Sequence, residues 1–307
     1  MNNIAIIGFG NQAKAWALNL RDSKLSFSIG LRANSNSNST KLAENMGMDV
    51  FDYEKSAKAF THFIILTPDE THEEIIKLIL KQKDSASFVY AHGYSIVETD
   101  ILKLASTSSH LLLAPKSIAS ELRFEYETKG KIPAAFSFEY NKDKQNEAFL
   151  KDLAQNIGIT CLKEASFKDE TYADLFSEQT ILCSAIPYLA KHSFDTLVKK
   201  GISKEVAFFE CFHELKSISA TFVKLGPENF FNLISPNALI GSETGRSELF
   251  NAQYISKLDQ IFDNIESHDF MREVDKTDID QIRKKILKYW NQSELQNTYN
   301  SLKDELY

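Results

Sequence analysis

Residues 3–20, NIAIIGFGNQAKAWALNL, decide the fold of the first half of this chain. The apolar run from Asn3 to Ile7 is typical of a short buried strand, and the amphipathic segment after Ala13 is typical of a helix. Between them lies a G-x-G-x-x-A pattern, in which the first glycine permits a tight turn, the second lets a pyrophosphate approach the backbone, and the alanine allows close helix packing. The pattern predicts a dinucleotide site, with a purely structural turn as the alternative. The residues expected to contact the nucleotide are Gly8, Phe9, Gly10, Asn11 and Gln12.

The end of the second predicted strand, Phe27 to Leu31, bears on which nucleotide binds. A site for NAD typically places Asp or Glu there to hold the ribose 2′-hydroxyl. This chain instead continues with RANSNSNS over residues 32–39, which contains no acid. Arg32 offers a positive charge to a 2′-phosphate, and Ser35 and Ser37 offer hydroxyls. We therefore predict a preference for NADP over NAD, although the run could also be a polar loop without a ligand.

Apolar runs and amphipathic segments continue to alternate after this point. A helix is predicted from Thr71 to Leu80, and strands are predicted at His62 to Leu66, Ser87 to Ala91, His110 to Ala114 and Ala134 to Phe138. This βαβ rhythm predicts a Rossmann fold, a doubly wound parallel sheet that binds ligands beyond the carboxyl ends of its strands. His92 and Lys116 follow two of those ends. We expect both to face the cofactor, with an ordinary surface position as the alternative.

The second half of the sequence is almost wholly helical in pattern. After a helix from Asn146 to Asn156 and a last strand from Thr160 to Lys163, helices are predicted at Asp169 to Ala190, Ser193 to Lys199, Lys204 to Leu225, Tyr254 to Glu266 and Thr277 to Tyr289. We place the domain boundary near Ala165. Residues 1–165 are thus expected to form the nucleotide-binding Rossmann domain, and residues 166–307 an all-α domain.

Two of these helices each carry a pair of carboxylates four residues apart. Asp174 and Glu178 lie in FKDETYADLFSEQTIL, residues 167–182, and Glu210 and Glu214 lie in AFFECFHELKSI, residues 207–218. Residues four apart share one helix face, and like charges among apolar neighbours need a positive partner. Oxygen ligands favour Mg²⁺ or Mn²⁺. We predict a divalent metal site, with pairing to a lysine or arginine such as Lys216 as the alternative.

Composition narrows the class of protein. The chain has 307 residues, 43% of them apolar, which is enough for two domains. Its net charge is −7 and it has no basic run, which argues against nucleic acid as a partner. No apolar stretch is long enough to cross a bilayer, so we expect a soluble, cytoplasmic protein. Three cysteines, Cys161, Cys183 and Cys211, have no C-x-x-C spacing and stand among apolar residues. We expect buried free thiols.

With both halves considered, the sequence resembles ketol-acid reductoisomerase, also called acetohydroxyacid isomeroreductase, of the short bacterial class. The resemblance covers nearly the whole chain, and its most specific parts are the two segments that carry the acid pairs. It rests on IAIIGFGNQAKAWALNLRDS, ILTPDE, AHGYSI, LLLAPK, FKDETYADLFSEQTILC, GISKEVAFFECFHELKSI and LISPNALIG.

The resemblance implies a role for each site residue. Asp174 corresponds to a ligand that bridges two Mg²⁺ ions, Glu178 to a ligand of the first ion, and Glu210 and Glu214 to the second metal region. Glu214 is also expected to relay protons, and Ser235 to bind the substrate carboxylate. His92 and Lys116 are expected beside the metals and the nicotinamide, as catalytic groups. One subunit's first acid pair is expected to meet its partner's second pair, in an intertwined homodimer whose helical domain is knotted.

The activity that the resemblance implies is a two-step conversion in branched-chain amino acid biosynthesis. A 2-acyl-2-hydroxy acid such as 2-acetolactate undergoes alkyl migration, and NADPH then reduces the product to a 2,3-dihydroxy acid. Two segments depart from the family pattern. Ser117 to Ser120 stand where Gly-Pro-Gly usually follows the lysine, and Leu239-Ile240 stand where Glu-Tyr is usual.

The two departures leave three functions open. We expect a divergent reductoisomerase, or a paralogue that uses the same dinuclear metal site on a bulkier or less polar substrate. A metal-independent NADPH reductase of hydroxyacid or imine type is one alternative, and a non-catalytic NADP-binding regulatory protein is another. Retention of all four acids argues against the last, because a dead site gains nothing from clustered like charges.

Overall fold

A computed structural model of the chain describes residues 3–32 and 38–307. These residues divide into two compact units, one ending at Ala173 and the other covering Asp174–Tyr307. Within the described residues, every helix is too short or too polar to span a lipid bilayer. The units are considered in turn.

The first unit is built on one sheet of eight strands within its described residues. The strands are β1 Ile4–Ile7, β2 Ser28–Leu31, β3 Val50–Asp52, β4 His62–Ile65, β5 Ser87–Tyr90, β6 Ser109–Pro115, β7 Ile132–Tyr140 and β8 Ile159–Glu164. Their order across the sheet is β3-β2-β1-β4-β5-β6-β7-β8. All neighbouring pairs are parallel except β6 and β7, which are antiparallel. The predicted parallel sheet is confirmed, and the antiparallel β6–β7 pair is a detail that the sequence did not indicate, because an apolar run carries no information about strand direction.

Helices cover both faces of this sheet, as the predicted Rossmann fold requires. They are α1 Asn11–Asp22, α2 Asn38–Asn45, α3 Tyr53–Ser56, α4 His72–Leu80, α5 Tyr94–Glu98, α6 Ile101–Leu104, α7 Ala119–Thr128 and α8 Gln145–Asn156. Successive strand residues point to opposite faces. Ile4 and Ile6 of β1 accordingly belong to one apolar cluster with α1 and α8, whereas Ala5 and Ile7 belong to a second cluster with α4. The Rossmann prediction is confirmed.

The second half of the chain is helical, which confirms the predicted all-α domain. The helices are α9 Phe167–Ser177, α10 Ile186–Lys199, α11 Lys204–Phe208, α12 Leu215–Leu233, α13 Pro236–Leu249, α14 Ala252–Glu266, α15 Asp269–Lys276, α16 Ile279–Asn291 and α17 Glu294–Leu306. A small core joins α10, α11 and α17 through Phe194, Phe208 and Leu295.

Two helices predicted as continuous are interrupted by π-helical segments. Glu178–Ala185 follows α9, and Phe209–His213 follows α11. In the second segment the N–H of Glu214 donates to the carbonyl of Phe209 at 3.0 Å, the i→i+5 bond of a π-turn. Each segment contains at least one carboxylate of an acid pair. The spacing of apolar residues does not predict such insertions, whereas π-segments are frequent at functional sites.

The predicted burial of the three thiols is wrong in this protomer. Cys161 and Cys183 are exposed, and Cys211 is half-buried. Cys161 lies on β8, where only the first of six residues is buried. Cys183 lies in a π-segment without a buried residue. The residues next to these cysteines in sequence are apolar, but in the folded chain they do not cover the thiols.

Candidate active site

The glycine-rich turn packs closely against the end of a neighbouring strand. Gly8, directly after β1, has a φ of +98°, a conformation that side chains other than glycine rarely adopt. A Cβ atom there would lie 2.7 Å from Cγ2 of Thr67 and 3.0 Å from the carbonyl oxygen of Leu66. Only glycine therefore allows the β1 turn to lie against the residues that follow β4.

The next turn of backbone is open and uncapped, which suits a pyrophosphate. Gly10 is the N-cap of α1, and no side chain of the described residues caps this helix end. Apart from the adjoining backbone of its own segment, no described atom lies within 4 Å of the position that a Cβ on Gly10 would take. Oε1 of Gln12 is shielded from solvent yet has no hydrogen-bond partner among the described residues. Free N–H groups at a helix N-terminus attract anions, so these residues fit the predicted dinucleotide.

Arg32, predicted to meet a 2′-phosphate, is held by neighbours that the sequence did not indicate. Its Nε donates to the hydroxyl of Tyr53 at 2.8 Å and lies 3.5 Å from Oε1 of Glu54. Its Nη2 lies 2.8 Å from Oε2 of Glu74. Ser35 and Ser37, the other two residues predicted at this position, lie outside the described residues.

Both His92 and Lys116 contact one buried carboxylate, that of Glu170. Nζ of Lys116 donates to Oε1 at 2.6 Å, and Nδ1 of His92 lies 3.0 Å from Oε2. The backbone N–H of Gly93 also donates to Oε2, at 2.8 Å. Glu170 is only 4% exposed, so it is an ion-paired group in the interior of the first unit. Sequence reasoning missed Glu170, although it precedes Asp174 by one helical turn.

These partners keep Glu170 ionised. Burial raises the pKa of its carboxyl, but the hydrogen bond from His92 and the charges of His92 and Lys116 outweigh burial and leave the pKa below its usual value. The contact also depends on Gly93. A Cβ on this residue would lie 2.4 Å from Oγ1 of Thr171 and 2.7 Å from the carbonyl oxygen of Phe167. Glycine therefore lets the turn after β5 reach the first turns of α9.

The first acid pair lies where a helix changes type. Asp174 is half-buried in α9, and Glu178 is the exposed first residue of the π-segment. Partial burial, followed by the charges of Glu178 and Asp174, raises the pKa of the Cys183 thiol. Carboxylate oxygens are among the hard donors that Mg²⁺ prefers. The pair therefore fits the predicted metal.

The second acid pair lies in the open, which corrects the prediction of a buried helix. Glu210 is in the second π-segment and Glu214 precedes α12, and both are exposed. Among the described residues, no group of three or more metal-binding side chains includes Glu178, Glu210 or Glu214. Within the part of the chain that the structure describes, the two pairs therefore do not form one cluster of three or more ligands.

A cavity of about 640 Å³ lies in the helical unit beside Glu210. Its walls are mostly apolar, from Ile181, Ile186, Leu189, Leu215, Phe250 and Leu258. Ser235, predicted to bind the substrate carboxylate, is exposed and accepts a hydrogen bond from the N–H of Ala238 at 3.2 Å. It is therefore the N-cap of α13 in this protomer.

Comparison with known proteins gives matches over both halves of the chain. Residues 1–162 match the family described as acetohydroxy acid isomeroreductase, NADPH-binding domain, and residues 167–306 match ketol-acid reductoisomerase, C-terminal domain. The ketol-acid reductoisomerase (NADP(+)) of Psychrobacter cryohalolentis is 34% identical over 273 residues, 88% of this chain and 80% of that protein. The enzyme of the same name from Psychrobacter arcticus matches to the same extent.

Solved structures agree on the fold. An NADH-preferring ketol-acid reductoisomerase from an uncultured archaeon superposes with a TM-score of 0.86 at 23% identity, over 99% of this chain and 94% of that one. Pyrroline carboxylate reductase of Plasmodium falciparum superposes with a TM-score of 0.56 at 14% identity, over 86% of this chain and 96% of that one. Since family matches cover both halves and the relatives span most of the sequence, this chain belongs to the ketol-acid reductoisomerase family.

Proposed function

We propose that this protein is a magnesium-dependent, NADPH-linked reductoisomerase of branched-chain amino acid biosynthesis. It converts a 2-acyl-2-hydroxy acid of the 2-acetolactate type to a 2,3-dihydroxy acid. One observation carries the proposal: the chain belongs to the family over both halves and keeps both acid pairs, on helices interrupted at the carboxylates themselves. A soluble biosynthetic enzyme that draws on NADPH belongs in the cytoplasm, where we place it.

The nucleotide is assigned to the turn after β1. Gly8, Phe9, Gly10, Asn11 and Gln12 would hold the pyrophosphate through the open N-terminus of α1, as the uncapped Gly10 supports. Ser35 and Ser37 remain proposed contacts of a 2′-phosphate. We assign the nicotinamide end to the turns after β5 and β6, where Glu170 holds His92 and Lys116 in place.

The metal is assigned to the four acids. Asp174, Glu178, Glu210 and Glu214 would hold Mg²⁺, or Mn²⁺, and the bound metal supplies electrophilic activation of the ketone and stabilisation of the alkoxide. Glu214, exposed at the start of α12, is suited to exchange protons with solvent and substrate. Ser235, also exposed, would orient the substrate carboxylate.

We propose that a second copy of the chain completes this site, in an intertwined homodimer with a knotted helical domain. Helices α12 and α13 contain no buried residue, although this part of the chain is fully described. Contiguous exposed apolar surface marks an interaction site. The large apolar side chains exposed on these two helices include Ile218, Phe222, Val223, Phe231, Leu233, Leu239 and Ile240. We expect a mass near twice 34.9 kDa, or a multiple of the dimer.

The two segments that depart from the family pattern affect which substrate the protein can convert. Ile118, just after Lys116, and Leu239 and Ile240, just after Ser235, are all well exposed in the protomer. Each therefore adds exposed apolar surface next to a proposed site residue. This supports a substrate that is bulkier or less polar than 2-acetolactate.

The test is turnover of 2-acetolactate and of a larger 2-acyl analogue by the full-length protein with NADPH, monitored by loss of the reduced nicotinamide absorbance. We expect activity with Mg²⁺, its loss with a chelator, and its recovery when Mg²⁺ is restored. Glu210→Gln with Glu214→Gln should abolish turnover while NADPH still binds, and Glu305→Gln on α17 is the matched control. Full activity after chelation would instead identify a metal-independent reductase. NADPH binding without any turnover would indicate a regulatory protein.

A further inference from the structure

Three strand ends converge on Arg32. Arg32 follows β2, Tyr53 and Glu54 follow β3, and Glu74 lies in the first turn of α4 after β4. These strands are parallel and belong to one sheet, so their carboxyl ends meet at the same edge. The glycine turn after β1 lies at that edge as well. This is the position at which a Rossmann fold receives the ribose 2′-substituent of its nucleotide.

Two nitrogens of the Arg32 guanidinium, Nε and Nη2, contact protein side chains. Its Nε donates to the hydroxyl of Tyr53, a residue only 4% exposed, which anchors the group to the sheet edge. Nη2 forms the ion pair with Glu74 at 2.8 Å, and Glu54 lies 3.5 Å from Nε. The side chains of Arg32, Glu54 and Glu74 are 49%, 36% and 62% exposed, so a ligand from solvent can reach all three.

The charges at this point do not favour a phosphate. One guanidinium and two carboxylates sum to −1, whereas a 2′-phosphate carries close to two negative charges. A phosphate that reaches Arg32 must therefore lie close to both carboxylates, or displace Glu74 from Nη2. The 2′-hydroxyl of NAD has no such conflict, because a carboxylate accepts its hydrogen bond.

We infer that Glu54 and Glu74 set the cofactor selectivity of this chain, by occupying Arg32 and opposing a 2′-phosphate. Arg32 alone would select NADP(H) strongly, and the two acids reduce that selectivity so that NAD(H) also binds well. The inference rests on the proposed nucleotide site, and it assigns to that site two residues that lie far from β2 in sequence.

The test compares the dissociation constants of NADP⁺ and NAD⁺ for the full-length protein by calorimetry. The variants are Glu74→Gln, Glu54→Gln and the double variant. Glu73→Gln is the matched control, because Glu73 is one residue from Glu74 and pairs with Lys77 at 3.1 Å instead. We expect Glu74→Gln to tighten NADP⁺ binding about fivefold, the upper end for loss of an exposed ion pair, and the double variant to tighten it further. NAD⁺ binding should stay within about twofold or weaken. The gain for NADP⁺ should shrink as salt is added.

The possible results distinguish the role of Glu54 and Glu74 from the existence of the nucleotide site itself. If both dinucleotides bind but the double variant leaves the NADP⁺ affinity unchanged, the acids do not compete for Arg32. If the variant weakens NADP⁺ binding, the acids orient Arg32 for the phosphate, and the inference is reversed. If the double variant binds NAD⁺ more tightly by the same factor as NADP⁺, the acids act only through their overall negative charge and do not set selectivity. Binding of neither dinucleotide by the unmodified protein would remove the proposed nucleotide site together with the inference.

Discussion

Nζ of Lys116 lies 2.6 Å from Oε1 of Glu170, a carboxylate that is 4% exposed and 54 positions away in sequence. This ion pair joins the end of β6 to the first turns of α9. Because α9 also carries Asp174, the same helix that anchors Lys116 presents the first proposed metal ligand. The residue that anchors Lys116 thus lies one helical turn before the first proposed metal ligand.

Loss of the two partners should have unequal effects on stability. Lys116→Met leaves a buried carboxylate short of one charged partner, and we expect it to lower the free energy of unfolding by about 2 kcal/mol. Glu170→Gln leaves a lysine that is 40% exposed and can rehydrate, so we expect a loss of about 1 kcal/mol. Urea denaturation measures both. Lys103→Met, at an exposed pair with Asp100, is the control and should change stability little.

The Glu170 contribution should depend on pH with a defined sign. Its folded pKa lies below the ordinary value of 4.5, so the stabilisation is complete above that value and is lost as the pH falls through the folded pKa. The difference in stability between the unmodified protein and Glu170→Gln should therefore narrow below pH 4.5. A difference that persists undiminished to pH 3 would show that the Glu170 carboxylate is not held by charge.

His110 should account for a second, separate loss of stability in acid. It is buried on β6, with Nδ1 2.9 Å from the hydroxyl of Tyr90 and Nε2 3.2 Å from the carbonyl oxygen of Ala105. Burial lowers its pKa from 6.5 to about 4. The unfolded chain binds this proton below pH 6.5 and the folded chain does not, so folding weakens by about 3 kcal/mol between pH 6.5 and 4.

The variant His110→Gln tests that assignment. Its free energy of unfolding should depend less steeply on pH between 6.5 and 4 than that of the unmodified protein. Equal slopes for the unmodified protein and His110→Gln would place the acid sensitivity elsewhere.

Replacement by alanine should have different effects at two glycines in the turns that follow strands, Gly10 after β1 and Gly93 after β5. Gly10→Ala meets no described atom, so stability should hold, but the new methyl group occupies the open face and should weaken NADP⁺ binding about tenfold. Gly93→Ala drives a Cβ into Thr171 and Phe167, and should cost about 1–3 kcal/mol of stability. Thermal melting and calorimetric titration of both variants separate the roles. A stable Gly93→Ala protein with full activity would contradict the contact with α9.

The glycine turn shows what local sequence can predict. Its strand, its helix and its exposed second glycine follow from contiguous residues, because a turn is specified by backbone freedom at fixed positions. The acid pairs are local in the same sense, since i and i+4 share a face wherever a helix forms. Both features were predicted from the residues alone.

The neighbours of Arg32 show what local sequence cannot predict. Glu54 and Glu74 reach Arg32 only because β3 and β4 lie near β2 at one sheet edge, and strand order is a property of the whole fold. Glu170 was missed for the same reason, because its partners follow β5 and β6. The π-segments at Glu178 and Glu210 were missed because one inserted residue barely alters apolar spacing.

In the proposed dimer, each metal site combines Asp174 and Glu178 of one chain with Glu210 and Glu214 of the other. Asp174→Asn and Glu214→Gln should each be inactive alone, because each variant damages every site of its own dimer. Co-expressed in equal amounts, they should form mixed dimers in which one site has both defects and the other has none. With random pairing in a two-fold symmetric dimer, about a quarter of the unmodified activity should return. Activity no higher than that of either variant alone would contradict a site shared between subunits.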